Sequence, residues 1–193
     1  MAELPDYSGK FMSHMRFEDF SKEALVRLIK AYAKTYVGFM GMWTNVTRER
    51  MSAEESYKLF EEVYVRTVRQ FEAPAIMKAM NIQGNDVITC IKLMQSIPDG
   101  SRGDIYPSEY KIINDNHAIF TIKQCPTLLY FEKVGDHKGI ELCCGAGMLE
   151  EMTIVEYCKF VNPDIQVTPL KLPPRKSPDE IACQWEFKLE PKA

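Results

Sequence analysis

The stretch YKIINDNHAIFTIKQCP, residues 110–126, decides the fold class. Tyr110 and Ile112 alternate with polar neighbours, Asn114-Asp115-Asn116 supplies a turn, and Phe120 and Ile122 resume the alternation. A period of two on both sides of a turn predicts an antiparallel hairpin with one buried face. The run then breaks at Cys125-Pro126. Proline suits the first turn of a helix, here over residues 126–134 with Leu128, Leu129 and Phe131. Strand and helix therefore lie within one short span.

Upstream the period is helical. Residues 21–50 carry Leu25, Ile29, Tyr32, Tyr36, Met40 and Trp43 on one face, behind Ser21 as N-cap. Ser52 and Glu55 have capping-box spacing and open a helix with Tyr57, Phe60, Tyr64, Val68 and Phe71. Pro74 ends that helix and starts a third, holding Ile76, Met77 and Met80. Asp86 caps a fourth with Ile88, Ile91 and Met94. Residues 99–104 are a loop by composition. Downstream of the hairpin and its helix, Thr153 is a candidate cap for a second helix, stopped by Asn162-Pro163-Asp164. Ile165 with Val167, and Ile181 through Leu189, read as two more strands, joined by the proline-rich loop 172–178. The prediction is one α+β domain over 1–193. A helical part, 1–98, precedes a ββαα-ββ unit with an antiparallel sheet, 99–193.

The 193 residues carry 24 Lys+Arg against 27 Asp+Glu, a net charge of −3. Such a chain lacks the basic footprint of a nucleic-acid binder. No apolar run approaches the ~20 residues that span a bilayer. Residues 1–10 have neither a basic n-region nor an apolar h-region, so the expected compartment is the cytoplasm. The long apolar face of residues 25–43 makes a homodimer through the helices an expectation, with burial inside the monomer as its equal.

Six cysteines are too sparse for a disulfide scaffold in a chain of this length. Cys90 and Cys158 lie inside helical patterns and read as small buried hydrophobes. Cys125 stands where a strand breaks into a helix, Cys143-Cys144 in a segment read as a glycine-bordered loop, and Cys183 at the start of the last strand. Three thiols on separate element ends could share a zinc ion with an open position, although their spacing is no metal signature. Alternatively one of them is a nucleophile, which needs a thiolate and a nearby base. His117 lies too far along its strand from Cys125 to be that base, His137 sits in a loop that could approach, His14 lies in an N-terminal arm, and Cys125 falls on the strand face opposite Phe120. Arg175-Lys176 reads as a solvated tip, and Glu141, Glu150 and Glu151 as surface carboxylates.

Cys125-Pro126, Cys143-Cys144, Asn162-Pro163-Asp164-Ile165, Pro173-Pro174 and Cys183-Gln184-Trp185-Glu186-Phe187 follow one another in an order that resembles the aminothiazoline-carboxylate hydrolase-like family. The resemblance implies an α+β domain whose named member opens a small sulfur–nitrogen ring by hydrolysis. It raises Cys125, Cys144 (or its neighbour Cys143) and Cys183 as the matching cysteines. The family pattern has an acidic residue shortly after the middle cysteine, where this chain runs Gly145-Ala146-Gly147. The function expected is a small-molecule pocket protein, hydrolysing a small cyclic C–N or C–S substrate at a cysteine-built site. The alternative is a binding or sensing module without turnover, for a small ligand or a metal.

Overall fold

A computed structural model describes residues 3–98 and 105–190. The loop expected at 99–104 lies outside them. The fold is α+β, with helices first and the sheet after. In chain order the helices are α1 (Lys22–Arg48), α2 (Ala53–Thr67), α3 (Ala73–Ala79), α4 (Val87–Ser96), α5 (Pro126–Val134), α6 (His137–Cys144) and α7 (Leu149–Val161). The strands are β1 (Ser108–Asn114), β2 (His117–Ile122), β3 (Gln166–Lys171) and β4 (Cys183–Lys188).

The sheet order is β1-β2-β4-β3, antiparallel throughout. In the central pair Ile122 faces Cys183, Phe120 faces Trp185 and Ala118 faces Phe187. All six are buried, so the period-two alternation read in the sequence delivers one apolar sheet face. Tyr110 on β1 stacks on Phe120 with ring centroids 4.6 Å apart. Edge strand β3 carries Pro169, where its missing N–H costs no central ladder bond. Helices α4 and α7 cover the sheet, and α2 packs on α7. Val87, Cys90, Leu93, Ile154, Tyr157 and Cys158 complete the core. Cys90 and Cys158 meet there, with their sulfurs 3.1 Å apart as free thiols.

Three local expectations change. The chain stays helical from α2 through Pro74. A π-helical turn, Val68–Glu72, carries the chain straight into α3, with the Ala73 N–H bonded five residues back to the Val68 carbonyl. Pro74 sits in the first turn of α3, where the widened turn tolerates its missing N–H. The unit after the hairpin holds three helices, because residues 137–144 are α6 and not loop. Asp136 caps it by accepting from the Gly139 N–H at 2.8 Å, a signal masked by the glycines in Gly135-Asp136-His137-Lys138-Gly139. Helix α7 begins at Leu149, so Thr153 is inside it. There its hydroxyl donates to the Leu149 carbonyl at 2.7 Å instead of capping.

The first helix divides the apolar face expected of it. Tyr36 and Met40 lie against the core, and the Thr47 and Ser56 hydroxyls meet at 2.6 Å. Ile29 and Tyr32, on the same predicted face, stay exposed, while Ala24 and Ala33 in the same half of the helix are buried.

Candidate functional site

The structure brings Cys125, Cys144 and Cys183 to one partly enclosed cavity of about 40 Å³. Cys143 and Glu150 line it as well, with Ile122, Leu128 and Trp185 as apolar wall. By volume it has room for about three waters. A ring-sized molecule would fill this enclosed part with one edge and leave the rest in its open mouth.

Each polar group arrives by a different local device. Cys125 is the residue before α5, in extended conformation, since the residue preceding a proline is driven out of the helical region. It lies beyond the end of β2, so strand parity does not govern where it points. Cys143 and Cys144 are the last residues of α6. Gly145 follows because a Cβ there would meet the Glu141 carbonyl oxygen at 2.4 Å, so that glycine serves the helix end and not a ligand. Cys183 opens β4, and its sulfur accepts a hydrogen bond from the Trp185 indole N–H at 3.2 Å. Glu150 comes from the first turn of α7, a position that favours a carboxylate. The reading of Glu150 as a surface residue is corrected by its place in the cavity wall.

The second correction is Arg175. Its side chain is only 1% exposed, and its guanidinium makes two bonds to the Glu132 carboxylate on α5, at 2.8 and 2.7 Å. The same guanidinium donates to the carbonyls of Pro178 and Glu180, each at 2.9 Å. Arg175 therefore ties the loop between β3 and β4 down onto α5, next to the Leu172, Pro173 and Ala182 wall of the cavity. A planar fork that satisfies carboxylate and carbonyls together is a task for arginine and not lysine. Sequence alone offered one usable signal: an arginine among prolines, which hold a loop stiff enough to dock.

The electrostatics favour neutral thiols. Burial first, then Glu150 and Cys144, push Cys125 up to about 12, while the Thr127 and Leu128 N–H groups at the start of α5 pull less strongly downwards. Cys144 is raised by its hydrogen bond with Cys143, by burial and by the nearby carboxylates. Cys183 is raised by burial and Glu150 against the opposing Trp185 bond. Low-dielectric surroundings disfavour thiolates, and a carboxylate in the wall disfavours them further. No histidine lines the cavity. His117 instead bonds Glu186 at 2.8 Å, and His14 and His137 are exposed. The donor chemistry suits a soft metal, but among the described residues no three His, Cys, Asp or Glu side chains are grouped as a metal ion requires.

A second polar cluster braces this end of the molecule. Arg48, at the end of α1, pairs with Asp136 at 2.5 Å, so one carboxylate both caps α6 and anchors α1. Burial raises the Tyr57 hydroxyl beside it, so it stays protonated.

A model of a family of unknown function (DUF6125) matches residues 18–189. The chain belongs to that family. The match takes in all seven helices and four strands, and so every residue of the cavity. Neither a curated protein nor a solved structure matches the chain. Among the described residues, no helix is long and apolar enough to cross a membrane.

Proposed function

We propose that this cavity is the working site of a hydrolase-like small-molecule protein, acting on a small cyclic molecule with a C–N or C–S ring bond. The observation that carries the reading is the gathering of Cys125, Cys143, Cys144, Cys183 and Glu150 around one small, apolar-walled space. The wall of Ile122, Leu128 and Trp185 suits the face of a ring. Glu150 is the base that takes a proton from water as its oxygen bonds to the ring carbon. The ring bond to nitrogen or sulfur then breaks, and a protonated thiol, Cys125 or Cys144, supplies the hydrogen to the leaving atom. The thiol is restored by the proton held on Glu150, so the net change is one water added across one ring bond. The cytoplasm, where thiols stay reduced, fits a site that needs them free.

A second reading is a binding or sensing module without turnover. It is favoured by the thiols being held protonated, which suits a ligand that recruits thiolates only when it arrives. The test is ring opening of 2-aminothiazoline-4-carboxylate and simple cyclic amidines, followed by chromatography, in the full chain and in Cys125→Ser, Cys144→Ser, Cys183→Ser and Glu150→Gln. Turnover lost in Glu150→Gln and in Cys125→Ser or Cys144→Ser supports the hydrolase. Binding without turnover selects the second reading, and stoichiometric metal in anaerobically purified protein makes its ligand a metal. Neither turnover nor binding in well-folded protein overturns the site.

A further inference from the structure

Helix α1 has two apolar faces, and only one of them meets the body. Tyr36, Met40 and Thr47 lie on the inward side. A second row, Leu28, Tyr32, Thr35, Phe39, Met42 and Val46, runs along the outward side with alternating spacings of four and three. That is a coiled-coil seam nearly three heptads long, about 27 Å at 1.5 Å per residue. No charged residue occupies the seam or its two flanking rows between Arg27 and Arg48, since Lys30 and Lys34 fall on the outer rows.

We infer that this seam pairs with a second copy of itself, in antiparallel orientation about a two-fold axis. Area supports a stable contact. Ile29, Tyr32, Phe39 and Met42 are each 56–64% exposed. With Val46 they leave on the order of 600 Å² uncovered, so two copies bury about 1,200 Å², the threshold of standard interfaces. Shape selects the orientation: in the antiparallel pair Leu28 meets Val46, Tyr32 meets Met42 and Thr35 meets Phe39, a larger residue against a smaller one in each layer, whereas a parallel pair sets Phe39 on Phe39 and Thr35 on Thr35. Self-complementarity of this kind is what a two-fold interface demands, and it favours a second copy over an unrelated partner.

Sedimentation equilibrium of the full chain tests it, with one chain weighing 22.2 kDa. The expected mass at tens of micromolar is about twice that. The double substitution Phe39→Glu with Met42→Glu should weaken association at least about a hundredfold, because it buries unpaired charge. Both sites are exposed, so circular dichroism should not change, and the melting temperature should fall only by the stabilisation that dimerisation supplies. Chains with Tyr32→Cys should cross-link to chains with Met42→Cys and not to themselves. A 22.2 kDa wild type at 100 μM, unaltered association of the glutamate variant, or cross-links only between identical positions would each overturn the proposal.

Discussion

Arg175 and Glu132, 43 residues apart in sequence, form a bidentate ion pair with the arginine side chain almost wholly buried. One end of the pair is a loop whose wall residues line the cavity. The other is the helix that Cys125 precedes. The contact thus holds two sides of one site together.

Removing that clamp with Arg175→Ala leaves carbonyls of the loop without donors and should cost about 2–3 kcal/mol in urea unfolding at pH 7. Arg175→Lys should fall between, since an ammonium cannot make both carboxylate bonds. Glu132 titrates below its ordinary value because Arg175 hydrogen-bonds it. The pair's contribution is therefore present above the unfolded glutamate value near 4.3 and is lost as pH falls through the folded one. The gap between wild type and Arg175→Ala should narrow towards pH 3. A gap that does not change with pH would detach the effect from Glu132.

Thiol chemistry at the cavity should be slow in the native state. At pH 8, iodoacetamide should label Cys125, whose value is pushed up to about 12, far more slowly than in urea-unfolded chain. Glu150→Gln removes a negative charge that raises Cys125, Cys144 and Cys183, so each should alkylate several-fold faster. Mass spectrometry of the labelled peptides checks it. Equal rates in the variant would mean that Glu150 does not act on the thiols.

Stability should decline in alkali for the same reason. Groups whose folded pKa exceeds the unfolded one stabilise fully below the unfolded value, near 8.5 for cysteine. They lose that contribution as pH rises towards the folded value, about 12 for Cys125. Urea midpoints measured from pH 7 to 10.5 should be level to about pH 8.5 and then fall. A Cys125→Ser variant should fall less steeply.

Gly139 in α6 and Gly41 in α1 should respond with opposite signs to alanine. A Cβ at Gly139 would meet Asp136 Oδ2 at 2.7 Å and the Phe131 ring at 2.9 Å. Asp136 cannot yield freely, because Arg48 and the Gly139 N–H both hold it. Gly139→Ala should therefore destabilise by at least about 1 kcal/mol despite alanine's better helix propensity. Gly41 faces open space, and Gly41→Ala should stabilise by up to about 1 kcal/mol. Thermal melts of the two variants decide it.

Asp136→Ala should cost about 2 kcal/mol, since one change deletes the α6 cap and the partner of Arg48. Asp136→Asn keeps the cap and loses the charge, so it should cost less. If asparagine and alanine are equally damaging, the ion pair outweighs the cap.

Local chemistry was legible where one residue type forces one geometry. Ser52 with Glu55, Asp86 and Pro126 announce their helices, and the two-residue period of β2 and β4 announces the buried sheet face. Helix α6 was not legible, because Gly135, Gly139 and Gly145 mark a turn, a close approach and a helix end within eleven residues. The π turn before Pro74 was not legible either. Whether a proline ends a helix or sits in a widened turn depends on what the helix packs against.

The sequence by itself determined the class of the fold and which residues could do chemistry at all: hairpin, capped helices, six cysteines, near-neutral charge. Periods, caps and side-chain types are properties of a chain segment and its near neighbours. Only the tertiary structure decided that Cys125, Cys144 and Cys183 border one cavity, that Glu150 belongs to its wall, and that Arg175 is buried. Those facts join residues tens of positions apart. Loop closure and core packing bring such residues together, and no local pattern encodes the distance between them.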